Sequence, residues 1–364
     1  MTHIERIWER MNKEGAEAIL VSSAINQFYV GNFDYTDGYV LVLRDKGYLL
    51  ADFRYIEAAK AAVAESGLGE FIDVVMPDTS MLRYAAGLLE KHGVKTVLYE
   101  ERELTCAVRD RVAEIFDAVG VEIKSGASAI FADTRRVKDA DEIAKICRAQ
   151  ALTDAAFEHI LGYINPDRTE LDVALELEFF MRVHGSQGTA FETIAVSGSA
   201  SSRPHGVPRP VKLEKGFLTM DFGAKMDGYC SDMTRTVVIG KADDEMKRLY
   251  NTVLEAQTTA IASLYEGMTC SDADKVARDI IDNAGYKGYF GHSLGHGVGL
   301  FIHEEPRFAA TAGEKLERGH VVTVEPGIYI EGKYGCRIED MIAVQDDGSI
   351  IDLTHSPKDL IELC

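Results

Sequence analysis

The segment GHSLGHGVGLFIHEEP, residues 291 to 306, carries His292, His296 and His303 together with Gly291, Gly295, Gly297 and Gly299. Imidazoles bind metals, move protons and contact substrates. A helical H-x3-H ligand pair is disfavoured here, because each glycine costs a helix about 1 kcal/mol relative to alanine. The glycines suit a sharp strand or loop whose backbone passes close to a site, and LFIHEE reads as a short strand. The three rings are then delivered into one pocket from separate points of a loop and a strand. A lone histidine in such a place is more often structural than a ligand, so the trio gains meaning from what lies beside it.

Two segments supply carboxylates. FLTMDFGAKMDGYCSDMTRTVVIG, residues 217 to 240, reads as strand, turn, strand, with Asp227-Gly228 as the hairpin turn. That hairpin brings Asp221 close to residues 232 to 234, so Asp221 and Asp232 are expected to face each other. In VVTVEPGIYIEGKYGCRIEDMIAV, residues 321 to 344, a turn about Gly332 brings Glu325 and Glu339 together in the same way. Paired carboxylates repel unless a proton or cation lies between them, and in apolar strands an unpaired charge is expensive. One such pair would be read as solvated residues of half-exposed strands. Two pairs beside a histidine-glycine loop point instead to a divalent metal such as manganese, cobalt or zinc. Carboxylates able to bridge point to two ions, about 3.5 Å apart as in two-metal hydrolases. SGSASSRPHGVPRP, residues 197 to 210, adds His205 within a rigid loop that by itself reads as an ordinary surface turn.

The elements that must position these groups are legible in outline. Residues 1 to about 125 alternate helix and strand signals: an amphipathic helix over Ile4 to Glu14 closed by Gly15, a buried strand in AEAILVSS, a hairpin in GYVLVLRDKGYLLAD turning at Asp45-Lys46-Gly47, then strands FIDVVMP, KTVLYE and VEIKS separated by helices. This predicts an α/β domain with a mixed sheet. It has no G-x-G-x-x-G after a strand and hence no dinucleotide site. SGASAIFADTRRVKDADEIAKI reads as a connector into a long helix capped by Asp139 or Asp141. A helix N-capped by Thr169 follows, then β signals interrupted by helices from about Asp243 and Ser271.

The 364 residues suffice for two domains, and 46% hydrophobic with 27% charged content is ordinary for a globular protein. The charged N-terminus lacks a signal-peptide core and no long apolar run occurs, so a cytoplasmic protein without a membrane span is expected. Cys106, Cys147, Cys230, Cys270, Cys336 and Cys364 are scattered, which predicts free thiols. A formal net charge of -20 opposes nucleic-acid binding.

At these residues the sequence resembles the aminopeptidase P, prolidase and methionine aminopeptidase superfamily of metallopeptidases, family M24. The resemblance rests on DFG with SDMTRT after it, then GHGVGLFIHE, VEPGIY and GCRIEDM, over roughly residues 135 to 360; NQFYVGNF and ADFRY resemble the creatinase-type N-terminal domain. It implies a creatinase-like α/β domain over 1–130 and an α+β pita-bread catalytic domain over 131–364. It also implies five metal ligands: Asp221 on one ion, Asp232 and Glu339 bridging, and His296 and Glu325 completing the coordination of the second ion. A bridging water acidified by the two cations would attack the scissile carbonyl. Glu325 would share in proton transfer, and His303 would shuttle a proton or stabilise the tetrahedral intermediate. His205 and His292 would lie near substrate, with His205 also counted among the catalytic residues. Arg337 would contact substrate or orient Glu339 through paired hydrogen bonds.

The expectation is therefore a dinuclear exopeptidase, with Mn(II) the first choice of metal and Co(II) or Zn(II) the alternatives. It would cleave the bond before proline in peptides or in Xaa-Pro dipeptides, and would form a homodimer or larger homo-oligomer. The alternatives are a methionine aminopeptidase or other aminopeptidase specificity, against which the N-terminal domain and the PHGVP loop argue, and a non-catalytic peptide- or protein-binding relative, against which the complete ligand set argues.

Overall fold

The structure is a computed structural model that describes residues 1–35 and 37–363. Its chain divides into two units, Met1–Arg135 and one beginning at Arg136. In the first, the apolar run after α1 (His3–Glu14) makes β1 (Ala18–Val21), followed by α2 (Ala24–Gly31), β2 (Gly38–Leu43), β3 (Gly47–Ala51), α3 (Ile56–Glu65), β4 (Ile72–Val75), α4 (Met81–Lys91), β5 (Thr96–Tyr99), α5 (Cys106–Asp117), β6 (Glu122–Ser125) and α6 (Ala127–Arg135). The sheet order is β4-β3-β2-β1-β5-β6. The β1–β2 and β2–β3 pairs are antiparallel and β1–β5, β3–β4 and β5–β6 parallel, so the sheet is mixed, as the alternation predicts. Gly15 closes α1 at φ 68°, a left-handed conformation that glycine adopts without strain.

Three local features depart from the sequence reading. The β2–β3 turn sits one residue earlier, since Leu43 N–H donates to the Lys46 carbonyl. Residues 127–135, expected within a connector, form α6. The helix α2 is unpredicted, and its cause is long-range. Ser23 caps it, and the buried Glu100 carboxylate accepts from Ser22, Ser23 and Asn26 at that end. A carboxylate supplied from more than seventy residues away satisfies N–H groups a short helix would otherwise leave orphaned.

The second unit begins with α7 (Ala140–Tyr163), α8 (Glu170–Val183), β7 (Gly188–Thr189), β8 (Ile194–Ser197), β9 (Gly216–Phe222), β10 (Ala224–Met226), β11 (Tyr229–Cys230) and β12 (Met233–Ile239). It continues through α9 (Asp244–Ser263), α10 (Cys270–Ile281), β13 (Gly295–Gly297), β14 (Glu304–Phe308), β15 (Val321–Val324), β16 (Gly327–Ile330), β17 (Tyr334–Arg337), β18 (Asp340–Val344), β19 (Ile350–Asp352) and β20 (Glu362–Leu363). One sheet runs β20-β12-β9-β8, another β14-β13-β15-β18-β19. Phe157, Leu177 and Met181 of α7 and α8 pack on Leu218, Met220 and Val237 of the first sheet. Leu249, Val253 and Ala277 of α9 and α10 pack on Val322, Val324 and Ile342 of the second. Each helix pair seals one sheet, the α+β pita-bread architecture that the sequence motifs imply.

The cysteines 106, 147, 230, 270 and 336 are all free; Cys364 lies outside the described residues. Among the described residues no helix is long and apolar enough to cross a membrane.

Candidate active site

Both carboxylate hairpins form. Asp227 and Gly228 take positive φ, 50° and 82°, as a tight right-twisted hairpin turn requires. The register pairs Asp221 with Thr234. Asp232 lies just before β12, in the break between β11 and β12, so it reaches the same pocket without sitting directly across from Asp221. In the second hairpin Val324 pairs with Asp340 and Gly327 with Arg337. Glu325 and Glu339 occupy the interruption between those two stretches, opposite each other.

His296 stands on the three-residue strand β13, and the glycines on either side explain how. A Cβ on Gly295 would lie 2.0 Å from the Thr323 carbonyl oxygen, and one on Gly297 would lie 2.3 Å from that of Glu305. The backbone is therefore in contact with its neighbours on both sides. His303 follows a bend and precedes β14, which starts only at Glu304, so residues 300–303 of the expected strand LFIHEE lie outside it.

All nine predicted side chains, His205, Asp221, Asp232, His292, His296, His303, Glu325, Arg337 and Glu339, line one pocket of about 670 Å³. Asp232, His296 and Glu339 offer ligand atoms within 4.8 Å of one another and are buried. His296 Nε2 lies 3.3 Å from Glu325 Oε1 and 3.6 Å from Asp232 Oδ2. Its Nδ1 is 3.1 Å from the Gly297 carbonyl, which can only accept, so Nδ1 carries the proton. Burial pushes the imidazole pKa down to about 3, leaving Nε2 with a bare lone pair aimed at carboxylate oxygens. Acceptors face acceptors there, which a cation between them resolves.

The carboxylates carry the same signal. Burial, and then the neighbouring Glu339, Asp221 and Glu325, hold Asp232 well above the usual carboxylate range. Burial followed by Glu325 and Asp221 does so for Glu339. Burial raises Glu325 to about 7. Asp221 Oδ1 is buried with no hydrogen-bond partner among the described residues. Four oxygen donors and one imidazole, mutually repulsive and partly orphaned, fit a divalent metal.

Around this set lies a web of positioning contacts. Thr323 Oγ1 accepts from His296 N–H at 3.1 Å and donates to Glu325 at 3.1 Å. Thr234 Oγ1 donates to Glu339 Oε2 at 2.6 Å and accepts from Arg337 Nε. Buried Arg337 also donates to Asp221 Oδ2 at 2.6 Å, the Tyr329 hydroxyl and the Pro204 carbonyl. Its direct carboxylate partner is thus Asp221, and it reaches Glu339 only through Thr234. Tyr329 in turn donates to His292 Nε2, whose Nδ1 faces the Ser293 carbonyl. Burial, then Arg337, pushes His292 down to about 4. His303 is exposed to the pocket, its ring 4.5 Å from that of His296, and burial followed by Arg307 lowers its pKa. Sequence reasoning missed Tyr329, Thr234 and Arg307. Tyr329 and Thr234 lie inside the motifs VEPGIY and TRT. Arg307 has no such signal. It lines the pocket, and its guanidinium has no hydrogen bond or ion pair among the described residues.

Comparison with known proteins agrees with this geometry. Residues 144–346 match the model for metallopeptidase family M24, and residues 3–148 match the Creatinase/Prolidase N-terminal domain. The chain is 38% identical over 362 residues to an uncharacterized peptidase, YqhT, of Bacillus subtilis, covering 99% of each. A solved Xaa-Pro dipeptidase from Bacillus anthracis superposes with a TM-score of 0.93 at 39% identity, covering 99% of both chains. An X-Pro aminopeptidase from Thermotoga maritima does so at 0.89 and 32%, covering 98% of this chain and 100% of that one. With a divalent metal implied by the family and a buried donor set to receive it, this chain belongs to metallopeptidase family M24 and carries a creatinase/prolidase N-terminal domain.

Proposed function

We propose that the protein is an Xaa-Pro exopeptidase that favours short substrates ending in a free carboxylate. Asp221, Asp232, His296, Glu325 and Glu339 hold two divalent ions, with Mn(II) the ion assigned and Co(II) or Zn(II) suited to the same donors. When bound, the ions supply Lewis acidity to the scissile carbonyl and acidify a water molecule. Glu325 is placed to take a proton at its carboxylate. His303, a neutral imidazole open to the pocket, is placed to hold or return a proton near the departing proline nitrogen. His205, whose ring has no hydrogen-bond partner among the described residues, serves the same proton traffic and borders the substrate. His292 borders it with its ring, since both its nitrogens are engaged. Arg337 uses four of its N–H donors on protein groups, so its contact with substrate is limited to the remaining one.

The observation that carries the preference for short substrates is the unpaired Arg307. A pocket rich in carboxylates repels an anion, so a free guanidinium on its wall is the natural receptor for a substrate's terminal carboxylate. Proline's bond is a tertiary amide with no N–H and a fixed φ, which a pocket preformed for a ring can select. The test is hydrolysis of Ala-Pro and Ala-Pro-Ala after loading with Mn(II), with Ala-Ala-Ala and chelator-treated protein as controls. Ala-Pro cleaved in preference, and only with metal, supports the reading. Equal or preferred cleavage of Ala-Pro-Ala would move the assignment to aminopeptidase P, and cleavage of Ala-Ala-Ala to another aminopeptidase specificity. Leu171, Leu175, Phe179 and Val183 repeat every fourth residue on α8 and are 39–66% exposed. Such a row supports a homodimer or larger assembly, which sedimentation velocity would test. A cytoplasmic location is proposed from the free thiols.

A further inference from the structure

Asp232 and Glu339 adjoin strands of different sheets. Asp232 leads into β12 of the four-stranded sheet, and Glu339 precedes β18 of the five-stranded one. Their separation is set by whatever ties the two sheets together beneath the pocket. The Glu339 N–H donates directly to the Thr234 carbonyl at 3.1 Å, and the buried guanidinium of Arg235 reinforces that single link. Its Nη1 donates to the carbonyl of Thr234 at 3.0 Å and to that of Glu339 at 2.6 Å. Nη2 donates to Asp340 Oδ1 at 2.7 Å and to the Ser356 carbonyl at 2.8 Å. Nε donates to the Pro357 carbonyl at 3.1 Å. All five N–H groups are used, and the Arg235 and Asp340 side chains are 1% and 0% exposed. The other Asp340 oxygen accepts from Gln257 at 2.7 Å and from Lys358. Asp154 on α7 fixes the clamping segment by accepting from the backbone N–H groups of His355 and Ser356.

We infer that Arg235 is a positioning residue for the metal centre, stapling the strand that carries Asp232 to the one that carries Glu339, with Asp340 as its counter-charge and residues 354–359 as the clamp. Arg235 touches no substrate and no ligand side chain. A buried ion pair adds little stability over well-packed apolar side chains, so its use here is geometric: a planar fork reaches carbonyls of both sheets at once, which a lysine ammonium cannot do. Contacts of this kind, one shell behind the ligands, typically change metal affinity about 10- to 100-fold when lost.

This inference rests on the metal reading above, and the experiment separates the two. Chelator-stripped wild type, Arg235→Lys and Asp340→Asn are titrated with Mn(II) by calorimetry, after circular dichroism establishes that each is folded. Leu249→Ala, a cavity in the α9 core away from the site, is the destabilised control. The expected result is that both variants bind Mn(II) about 10- to 100-fold more weakly than wild type, while the control keeps wild-type affinity despite a lower melting temperature. Unchanged affinity in a folded Arg235→Lys overturns the inference, as does a control that loses affinity equally. If neither variant folds, Lys358→Met, which removes one donor to Asp340 from a partly exposed side chain, decides it. Affinity at least threefold weaker supports the staple and unchanged affinity overturns it. A wild type that binds no Mn(II) overturns the metal reading itself, and this inference with it.

Discussion

Replacing Arg307 with alanine removes the group assigned to the substrate's carboxylate, and the cost can be worked from its surroundings. A hydrogen bond to a charged partner contributes about 1.5–3 kcal/mol, whereas exposed ion pairs contribute about 0–1 kcal/mol. Arg307 is exposed at the pocket wall, which moves the figure to the low end, about 1.5 kcal/mol. That corresponds to about tenfold in kcat/KM. The comparison that isolates it uses Ala-Pro and its C-terminal amide, which differ only in the charge Arg307 would meet. Wild type should favour the acid about tenfold, and Arg307→Ala should treat the two nearly alike, with the loss confined to the acid. Arg307→Lys keeps the charge without the fork and should fall between. Because the Arg307 guanidinium has no hydrogen bond or ion pair to abandon among the described residues, the fold should be unaffected. If Arg307→Ala keeps the wild-type ratio of acid to amide, the carboxylate is read elsewhere and the preference for dipeptides loses its support.

Asp232→Ala should abolish turnover and empty at least one metal position, read by elemental analysis of dialysed protein; a fully active, metal-replete variant would refute the dinuclear reading. His303→Ala should keep its metals while turnover falls about 10²–10⁴-fold, and an unchanged rate would reduce His303 to a structural role. Glu170 is fully buried, with Arg209 and Ser197 donating to its carboxylate. Burial raises its pKa, but the bonds from Arg209 and Ser197 outweigh it and hold the group below its ordinary 4.5. A depressed pKa stabilises the fold above pH 4.5, and that contribution is lost as pH falls through the folded value. Glu170→Gln should therefore be about 1–3 kcal/mol less stable at pH 7, with the gap to wild type closing in denaturant melts below pH 4.5. A gap independent of pH would refute the assignment.

Much of the site can be read from sequence because its ligands sit in hairpins, and a hairpin's turn fixes its register. Gly332 and the Asp227-Gly228 turn are enough to bring Glu325 to Glu339 and Asp221 to the Asp232 segment. The Asp227-Gly228 turn by itself pairs Asp221 with Thr234 and leaves Asp232 two residues along; what the sequence does not show is the break in pairing before β12, beside Gly223. A Cβ there would lie 1.9 Å from the Ser231 carbonyl, a tertiary contact. Helix α2 escapes for a similar reason, its N-terminus being satisfied by Glu100, which follows β5 far along the chain. Arg307 escapes because its meaning is the absence of a partner. Arg235 and Asp340 lie in quoted motifs, yet their bond joins two sheets that only the folded chain brings together.

The close packing of Gly295 and Gly297 has a further consequence for how tolerance to mutation should be interpreted. A run of glycines suggests slack, and slack suggests that replacements would be accepted. Here the place a Cβ would take is already filled by a carbonyl of the neighbouring strand, so the first carbon of any side chain is already too large. In a saturation scan Gly295 should rank beside His296 in intolerance, although it binds nothing and donates nothing to the chemistry. Sensitivity in such a loop measures how little room the ligand's backbone has, and it would mislead anyone who took every intolerant position for a participant in the reaction.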